Sequence, residues 1–267
     1  MKAYTKIEIE EISQILSSQN NIILIHSALQ NLGKLAGENF LDIPKIWLEI
    51  MMNYFDNLIM PCFNYSFPKT KIADLRILKS EVGVLSEVFR NHNTIRSTHP
   101  IFGFCGIGTE IGEILKPNQI EHNPFCKESV YGRLWDKNAL MVFLGIDIRV
   151  CTFMVFVEAM YGVKYRYFKP FFGKVIGDFG EIRGDFYHFC LPLAESLKVN
   201  FFRIQEEMIA NGIIKKQVFG SSKVYYFCAK PFLEYVIKRL QEEPFILLQE
   251  APKHFYIFKD GKESVIV

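Results

Sequence analysis

The chain has 267 residues, 49% of them hydrophobic and 15% aromatic, with 31 Lys plus Arg against 29 Asp plus Glu for a formal net charge of +2. So small an excess lacks the basic signature of a nucleic-acid binder, and 22% charged residues with no long polar tract exclude a disordered chain. No apolar run approaches the ~20 residues of a membrane span, and the acidic start from Met1 to Glu11 lacks the basic and apolar blocks of a signal peptide, so a cytoplasmic protein is expected.

Residues 5–19 read as a helix with Ile7, Ile9, Ile12 and Ile15 roughly on one side. NIILIH at 21–26 reads as a buried strand that ends at the polar Ser27. A helix over 42–54 and a strand over 58–62 follow, then an irregular loop over 64–79. Residues 81–90 read as helical, with Ser80 placed to cap them. One Pro and several Gly between Ile95 and Gly108 predict loop mixed with a short strand, and a helix over 109–116 stops at Pro117. ALMVFLG at 139–145 is a third strand, and 150–161 is an apolar helix buried on several sides. Short strands with Gly173, Gly177, Gly180 and Gly184 as turns are expected over 165–189. A helix around 193–211, a β-like segment ending at Phe227 and a helix over 232–242 complete the pattern. Continuously apolar strands separated by helices indicate a sheet covered on both faces.

Six single cysteines without CxxC spacing read as reduced core thiols. No dinucleotide fingerprint, H-E-x-x-H or G-x-S-x-G is present, which argues against metal-protease and serine-hydrolase chemistry. Polar residues gather instead where apolar strands end: His26 and Ser27, then Asn64, Tyr65 and Ser66, then Asp147 and Arg149. Ligands of open α/β sheets collect just beyond such ends; each residue alone reads more readily as a turn or cap, and together they are better evidence for a site. Between 161 and 175, Lys164, Arg166, Lys169 and Lys174 occur with no acid and alternate with Tyr and Phe. That pattern suits an exposed strand of snorkelling side chains, or a site for a phosphate-bearing ligand with a flat base.

Several ordered motifs resemble the aminoglycoside 3-N-acetyltransferase family. IHSALQNLG at 25–33 is similar to its H-S-S-L-x-x-L-G opening, and LIMPCF at 58–63 to its L-V-M-P-T-F strand. Ser80 to Arg90 follows its S-x-x-G-x-L-x-E-x-F-R, and Arg96 to Pro100 its R-S-x-H-P. Pro124-Phe125, Ser129 to Leu134, and Leu144-Gly145 through Thr152 and Glu158 continue in step. The resemblance implies an α/β fold, a three-layer α/β/α arrangement with a mixed central sheet and a smaller β-containing module in the second half. An acyl-CoA-binding core over 1–163 and a module over 164–267 are expected, with a soft boundary. It implies transfer of an acetyl or other short acyl group from coenzyme A to an amine, without a metal. His26, Ser27, Leu29, Ser80, Gly83, Arg96, Ser97 and Ser129 would hold the coenzyme, a helix start at Ser80 and the Arg96 guanidinium suiting its pyrophosphate.

Two departures redirect the acceptor. The family histidine of T-x-x-H-x-x-E falls on Val155, and the acidic stretch that holds a polycationic antibiotic falls near Tyr187 to Cys190, where no carboxylate stands. The expected acceptor is therefore an anionic amino sugar, nucleotide-linked and destined for surface glycans, with Tyr65, Arg149, Lys164 and Arg166 binding it. An aminoglycoside acceptor and a catalytically silent coenzyme A-binding homologue are the alternatives. The amine is expected to attack the thioester directly. His99 is the first candidate base, supported by Glu158 and Asp147, although a histidine before proline also closes turns. A homo-oligomer is compatible with the sequence.

Overall fold

The run Ile22 to Ile25 shows no polar alternation, and the computed structural model, which describes residues 2–266, shows why. Ile22 and Leu24 enter one hydrophobic core, while Ile23 and Ile25 enter another. Successive side chains of a strand point to opposite faces, so a strand covered on both sides needs apolar residues throughout.

The first third of the chain comprises β1 (Ala3–Tyr4), α1 (Lys6–Ser17), β2 (Ile22–Ser27), β3 (Lys34–Leu35), α2 (Ile43–Met52), β4 (Asn57–Pro61), α3 (Phe67–Thr70), β5 (Ile72–Asp74) and α4 (Val84–Arg90). Then come β6 (Ile95–Arg96), β7 (Phe104–Gly108), α5 (Ile111–Leu115), α6 (Val130–Asp136), β8 (Leu140–Leu144) and α7 (Thr152–Tyr161). The rest is β9 (Tyr167–Gly177), β10 (Gly180–Cys190), α8 (Phe202–Ala210), β11 (Lys215–Phe219), β12 (Ser222–Cys228), α9 (Ala229–Glu242), β13 (Phe255–Lys259) and β14 (Lys262–Ile266).

Seven strands form the main sheet in the order β11-β12-β8-β2-β4-β7-β6. β2 is parallel to both its neighbours, β4 and β8, and the outer pairings are antiparallel, so the sheet is mixed. Helices α1, α2 and α4 supply Ile12, Trp47 and Phe89 to the core on one face. Helices α5 to α9 supply Ile114, Tyr131, Phe156, Met208 and Phe232 to the other, giving three layers, α/β/α. Tyr4, Trp47 and Phe219 meet in the first layer with centroids 5.1–6.0 Å apart, and the Trp47 indole donates to the Tyr4 hydroxyl at 3.0 Å. Burying each such ring is worth roughly 1.5–3 kcal/mol.

The segment after residue 163 adds β11 and β12 to the main sheet and joins its β9 and β10 to β5 of the first half in a smaller sheet of order β10-β9-β5. Here several expectations give way. Residues 165–189 form not several short strands but one long hairpin, in which Gly173 faces Gly184 inside the ladder. A Cβ on Gly173 would lie 2.6 Å from the Lys71 carbonyl oxygen, so the glycine admits β5 alongside β9. The stretch 64–79 accordingly contains α3 and β5 rather than loop alone. In α1 the buried stripe is Ile9, Ile12 and Leu16, whereas Ile7, about 200° round the helix from Ile9, is 65% exposed. Helix α8 begins only at Phe202, and the sequence pattern does not announce the terminal hairpin β13–β14.

Candidate active site

Beyond the carboxyl ends of β2, β4 and β8 lies a cavity of about 500 Å³. An open α/β sheet places ligands there, because loops from neighbouring strands diverge. β2 delivers His26 and Ser27, and the chain after β4 delivers Phe63 and Tyr65. The turn after β8 and the first turns of α7 supply Ile146, Arg149, Cys151, Thr152 and Val155. Gly83, just before α4, closes one side, and Arg166, ahead of β9, forms another wall.

Close backbone packing fixes the entrance. Gly83 has φ +110°, a conformation that favours glycine, and a Cβ there would stand 3.2 Å from the Ser27 carbonyl oxygen. Across the sheet, Ala28 N–H donates to the Leu144 carbonyl at 2.8 Å, and Asn31 Nδ2 donates to the Gly145 carbonyl at 2.9 Å. The loop after β2 is thus tied to β8.

His26 is the one imidazole on this wall, stacked flat on Phe143 with centroids 4.9 Å apart. Burial pushes it down to about 4, so the ring is neutral near pH 7. Arg149 is exposed and pairs with Asp147 at 2.8 Å; the Asp147 carboxylate also accepts the Arg149 amide N–H at 3.1 Å. Arg166, by contrast, is buried: its Nε lies 3.0 Å from Glu158 Oε2, as an ion pair poorly aligned for a hydrogen bond, and its Nη1 donates to the Phe189 carbonyl at 3.3 Å. Tyr165 donates to the other Glu158 oxygen at 2.8 Å. Glu158 therefore stands behind the wall, committed to Arg166 and Tyr165, and does not face the cavity.

No Asp or Glu is among the lining residues, and Val155 occupies the wall where the resemblance puts a histidine. Burial pushes the Cys151 thiol up to about 12, which leaves it unsuited to act as a thiolate. Among the described residues, no three His, Cys, Asp or Glu side chains gather as a metal site, and no helix is long and apolar enough to cross a membrane.

The geometry brings together His26, Ser27, Tyr65, Gly83, Arg149 and Arg166 of the expected residues. It places the others elsewhere. His99 is fully buried, and its Nδ1 accepts the amide N–H groups of Ile101 at 3.2 Å and Phe102 at 2.9 Å. Burial, aided by the nearby His188, pushes it down to about 3, so it closes a turn and is absent from the cavity wall. Ser97 Oγ accepts from Phe104 N–H at 2.8 Å, and Ser129 Oγ caps α6 through Gly132 N–H at 3.3 Å; both are fully buried. The Arg96 guanidinium binds the carbonyls of Leu78 at 2.6 Å, Leu75 at 3.1 Å and Cys62 at 3.4 Å. Leu29 is buried in the core on the α1, α2 and α4 face of the sheet. Ser80 does not cap a helix, because α4 starts after Gly83; its hydroxyl accepts only a long bond from Val82 N–H at 3.4 Å. Lys164 lies on a different groove, and Asp147 lies beside the cavity.

No sequence signal marks Val199 and Phe201, which reach the wall from the irregular stretch before α8. Val82 and Phe63 sit inside matched motifs, and their place on the wall follows only once β4 and the loop before α4 are seen side by side.

A mixed sheet covered on both faces, with a largely apolar, cation-edged cleft at its strand ends, defines an open α/β protein built to take a small ligand. The chain belongs to the aminoglycoside 3-N-acetyltransferase family, whose profile matches residues 24–241, and it is an acyl-CoA-dependent N-acyltransferase. Its fold is similar to that of AAC-IIIb solved as a binary with CoASH, at TM-score 0.76 and 14% identity over 94% of this chain and 100% of that one. A variant of aminoglycoside acetyltransferase AAC(3)-IVa in complex with a gentamicin is similar at TM-score 0.71 and 19% identity, over 94% and 93% of the two chains. The YokD protein from Bacillus subtilis is similar at TM-score 0.71 and 16% identity, over 91% and 96%. No curated protein matches the sequence.

Proposed function

We propose that the cleft transfers a short acyl group, acetyl in the first place, from coenzyme A to the amino group of an anionic, nucleotide-linked amino sugar used in surface glycans. The observation that carries the acceptor is the wall itself: Arg149 and Arg166 line it, and no carboxylate does. A polycationic acceptor needs opposing carboxylates, and an anionic one does not. Coenzyme A suits the same cleft. The Ser27–Gly83 approach leaves backbone where a side chain would intrude, and Phe63, Val82 and Val150 offer apolar surface for the coenzyme's arm. Tyr65 and Arg149 at the edge are then available to the acceptor.

The coenzyme supplies the activated thioester. The amine nitrogen forms the new C–N bond, the C–S bond breaks, and the sulfur leaves as a thiolate that ends with the proton the amine gives up. The amine proton passes to water or to His26, the one imidazole on the wall; His99 has no path to it. A sugar amine is less basic than a lysine amine, so part of it is already neutral at working pH.

A second reading, an aminoglycoside acceptor, is favoured by a different observation: the family carries that activity in its description, and AAC(3)-IVa was solved with a gentamicin. The comparisons speak for it more directly than for a nucleotide-linked sugar; the lack of a carboxylate lining the wall speaks against it. Thiol release from acetyl-CoA, measured against both classes of acceptor, separates the two. The expected result is a kcat/KM at least about tenfold higher for a nucleotide-linked amino sugar, a margin of about 1.4 kcal/mol. The reverse preference installs the aminoglycoside reading. Coenzyme binding with turnover of neither class leaves a silent homologue.

A further inference from the structure

Arg166 lines a second groove as well, of about 560 Å³. One wall is the start of β9 with its partner strand, presenting Tyr167, Phe168 and Phe189; the other is the terminal hairpin, presenting Phe255 and Phe258. The hairpin lies beyond the residues matched by the family profile.

The groove is an unusual piece of surface. Phe168 is 37% exposed and Ile257 41%, an apolar patch that a solvated strand has no reason to keep. Cations surround it. Lys164 lines the groove, is exposed, and makes no ion pair among the described residues. Lys169 holds its ammonium 5.1 Å above the Phe258 ring and 5.5 Å from Phe171. No carboxylate lines the groove. Behind the wall, Glu263 is occupied by the Tyr167 hydroxyl and by the amides of Leu193 and Ala194, Glu158 is committed to Arg166 and Tyr165, and Glu195 accepts from the Tyr256 hydroxyl at 3.3 Å.

An exposed Phe168 and a half-buried Phe258, with the Lys164 and Lys169 ammonium groups close by, select a ligand that is flat at one end and anionic beside it. Every nucleobase has a π-face to stack, and phosphates pair with lysines as point charges. A polycation meets like charge here, and a neutral apolar chain leaves the lysines without a partner. Because Arg166 is shared, a ligand seated in the groove extends toward the transfer cleft.

We propose that this groove holds the nucleoside diphosphate end of the acceptor, with the base against Phe168 and Phe258 and the phosphates on Lys164 and Lys169, so that the sugar amine passes Arg166 into the cleft. The proposal rests on the reading of the acceptor as nucleotide-linked and adds where its nucleotide sits.

Titration calorimetry with free UDP, dTDP, CDP, GDP and ADP tests it, with coenzyme A held at saturation so that no diphosphate merely takes the coenzyme's place. At least one diphosphate should bind the unaltered chain. Phe258→Ala should weaken it by about tenfold or more, and Lys164→Glu, a surface change that leaves folding intact, by about as much with a smaller salt dependence. Coenzyme A affinity should stay the same in both. A diphosphate that binds both variants as it binds the unaltered chain overturns the groove while leaving the acceptor reading in place. The groove is equally overturned if a nucleotide-linked amino sugar is acetylated with unchanged KM in both variants. If no diphosphate binds and no nucleotide-linked amino sugar is turned over, the acceptor reading fails and takes the groove with it.

Discussion

The transfer cleft and the segment from Ile95 to Ser129 both carry family-like motifs, yet they use their polar residues in different ways. In the cleft, His26, Ser27 and Arg149 line open space. In the other segment, Arg96 Nη1, Ser97 Oγ, His99 Nδ1 and Ser129 Oγ bind the backbone around them, while Arg96 Nε and His99 Nε2 stay buried without a partner. The residue types are similar in the two regions. What differs is whether a neighbouring main-chain group lies within reach, and that decides between chemistry and scaffold.

The broadest test of this contrast is acid. His26, His99 and His188 are all held neutral by burial, at about 4, about 3 and about 4. An unfolded histidine takes up its proton near 6.5, so below that pH the unfolded chain binds more protons than the folded one. Stability is then full above about pH 6.5 and falls as pH drops toward 4, by roughly 1.4 kcal/mol per unit for each histidine at most. Urea midpoints measured from pH 7.5 to 4.5 should show that slope; a flat profile means that the histidines are not buried as described.

Next in size is Arg96→Ala, which strands three carbonyl oxygens and should cost about 3 kcal/mol, read from urea unfolding. Intact stability with a raised KM for acyl-CoA would instead return Arg96 to the coenzyme and erase the contrast. His99→Asn should cost about 1–2 kcal/mol of stability yet change kcat by less than about threefold, ~0.65 kcal/mol. A loss of ~10²-fold would make His99 the base after all.

Gly83→Ala sharpens the other side. Its φ of +110° and the approach to Ser27 predict a strain of about 1–2 kcal/mol, together with a several-fold higher KM for acyl-CoA. Smallest in stability is Arg149→Ala. Its exposed pair with Asp147 should be worth under about 0.5 kcal/mol, while KM for the acceptor rises several-fold.

Much of the main sheet was legible because its strands are short, apolar and bounded by polar turns, and the cleft because polar residues follow those strands. What escaped was non-local. Nothing around Gly173 announces that Lys71 will lie against it, since that contact joins β5 to a strand far along the chain. The Glu158–Arg166 pair was equally hidden. Both residues were singled out for separate roles, base and acceptor binding, and only the packing of α7 against the chain leading into β9 turns them into one buried unit. His99 shows the limit most clearly, because its motif fits a site and a turn equally well, and only the amides of Ile101 and Phe102 decide.

The register of β2 against β8, residues 23–27 against 140–144, has a consequence for how the molecule comes into being. The two strands that carry the cleft cannot meet until the intervening chain has been made, and Tyr4 cannot settle between Trp47 and Phe219 until β11 has also emerged. Such distant pairings place a large loop-closure entropy ahead of any stabilising contact, so folding should be slow for a chain of this size and its early intermediates should expose the apolar edge of β2. A chain stopped before Lys215 leaves β8 without its outer neighbour β12 and Tyr4 without its seat. Synthesis, rather than the finished structure, is where this protein is most vulnerable to aggregation.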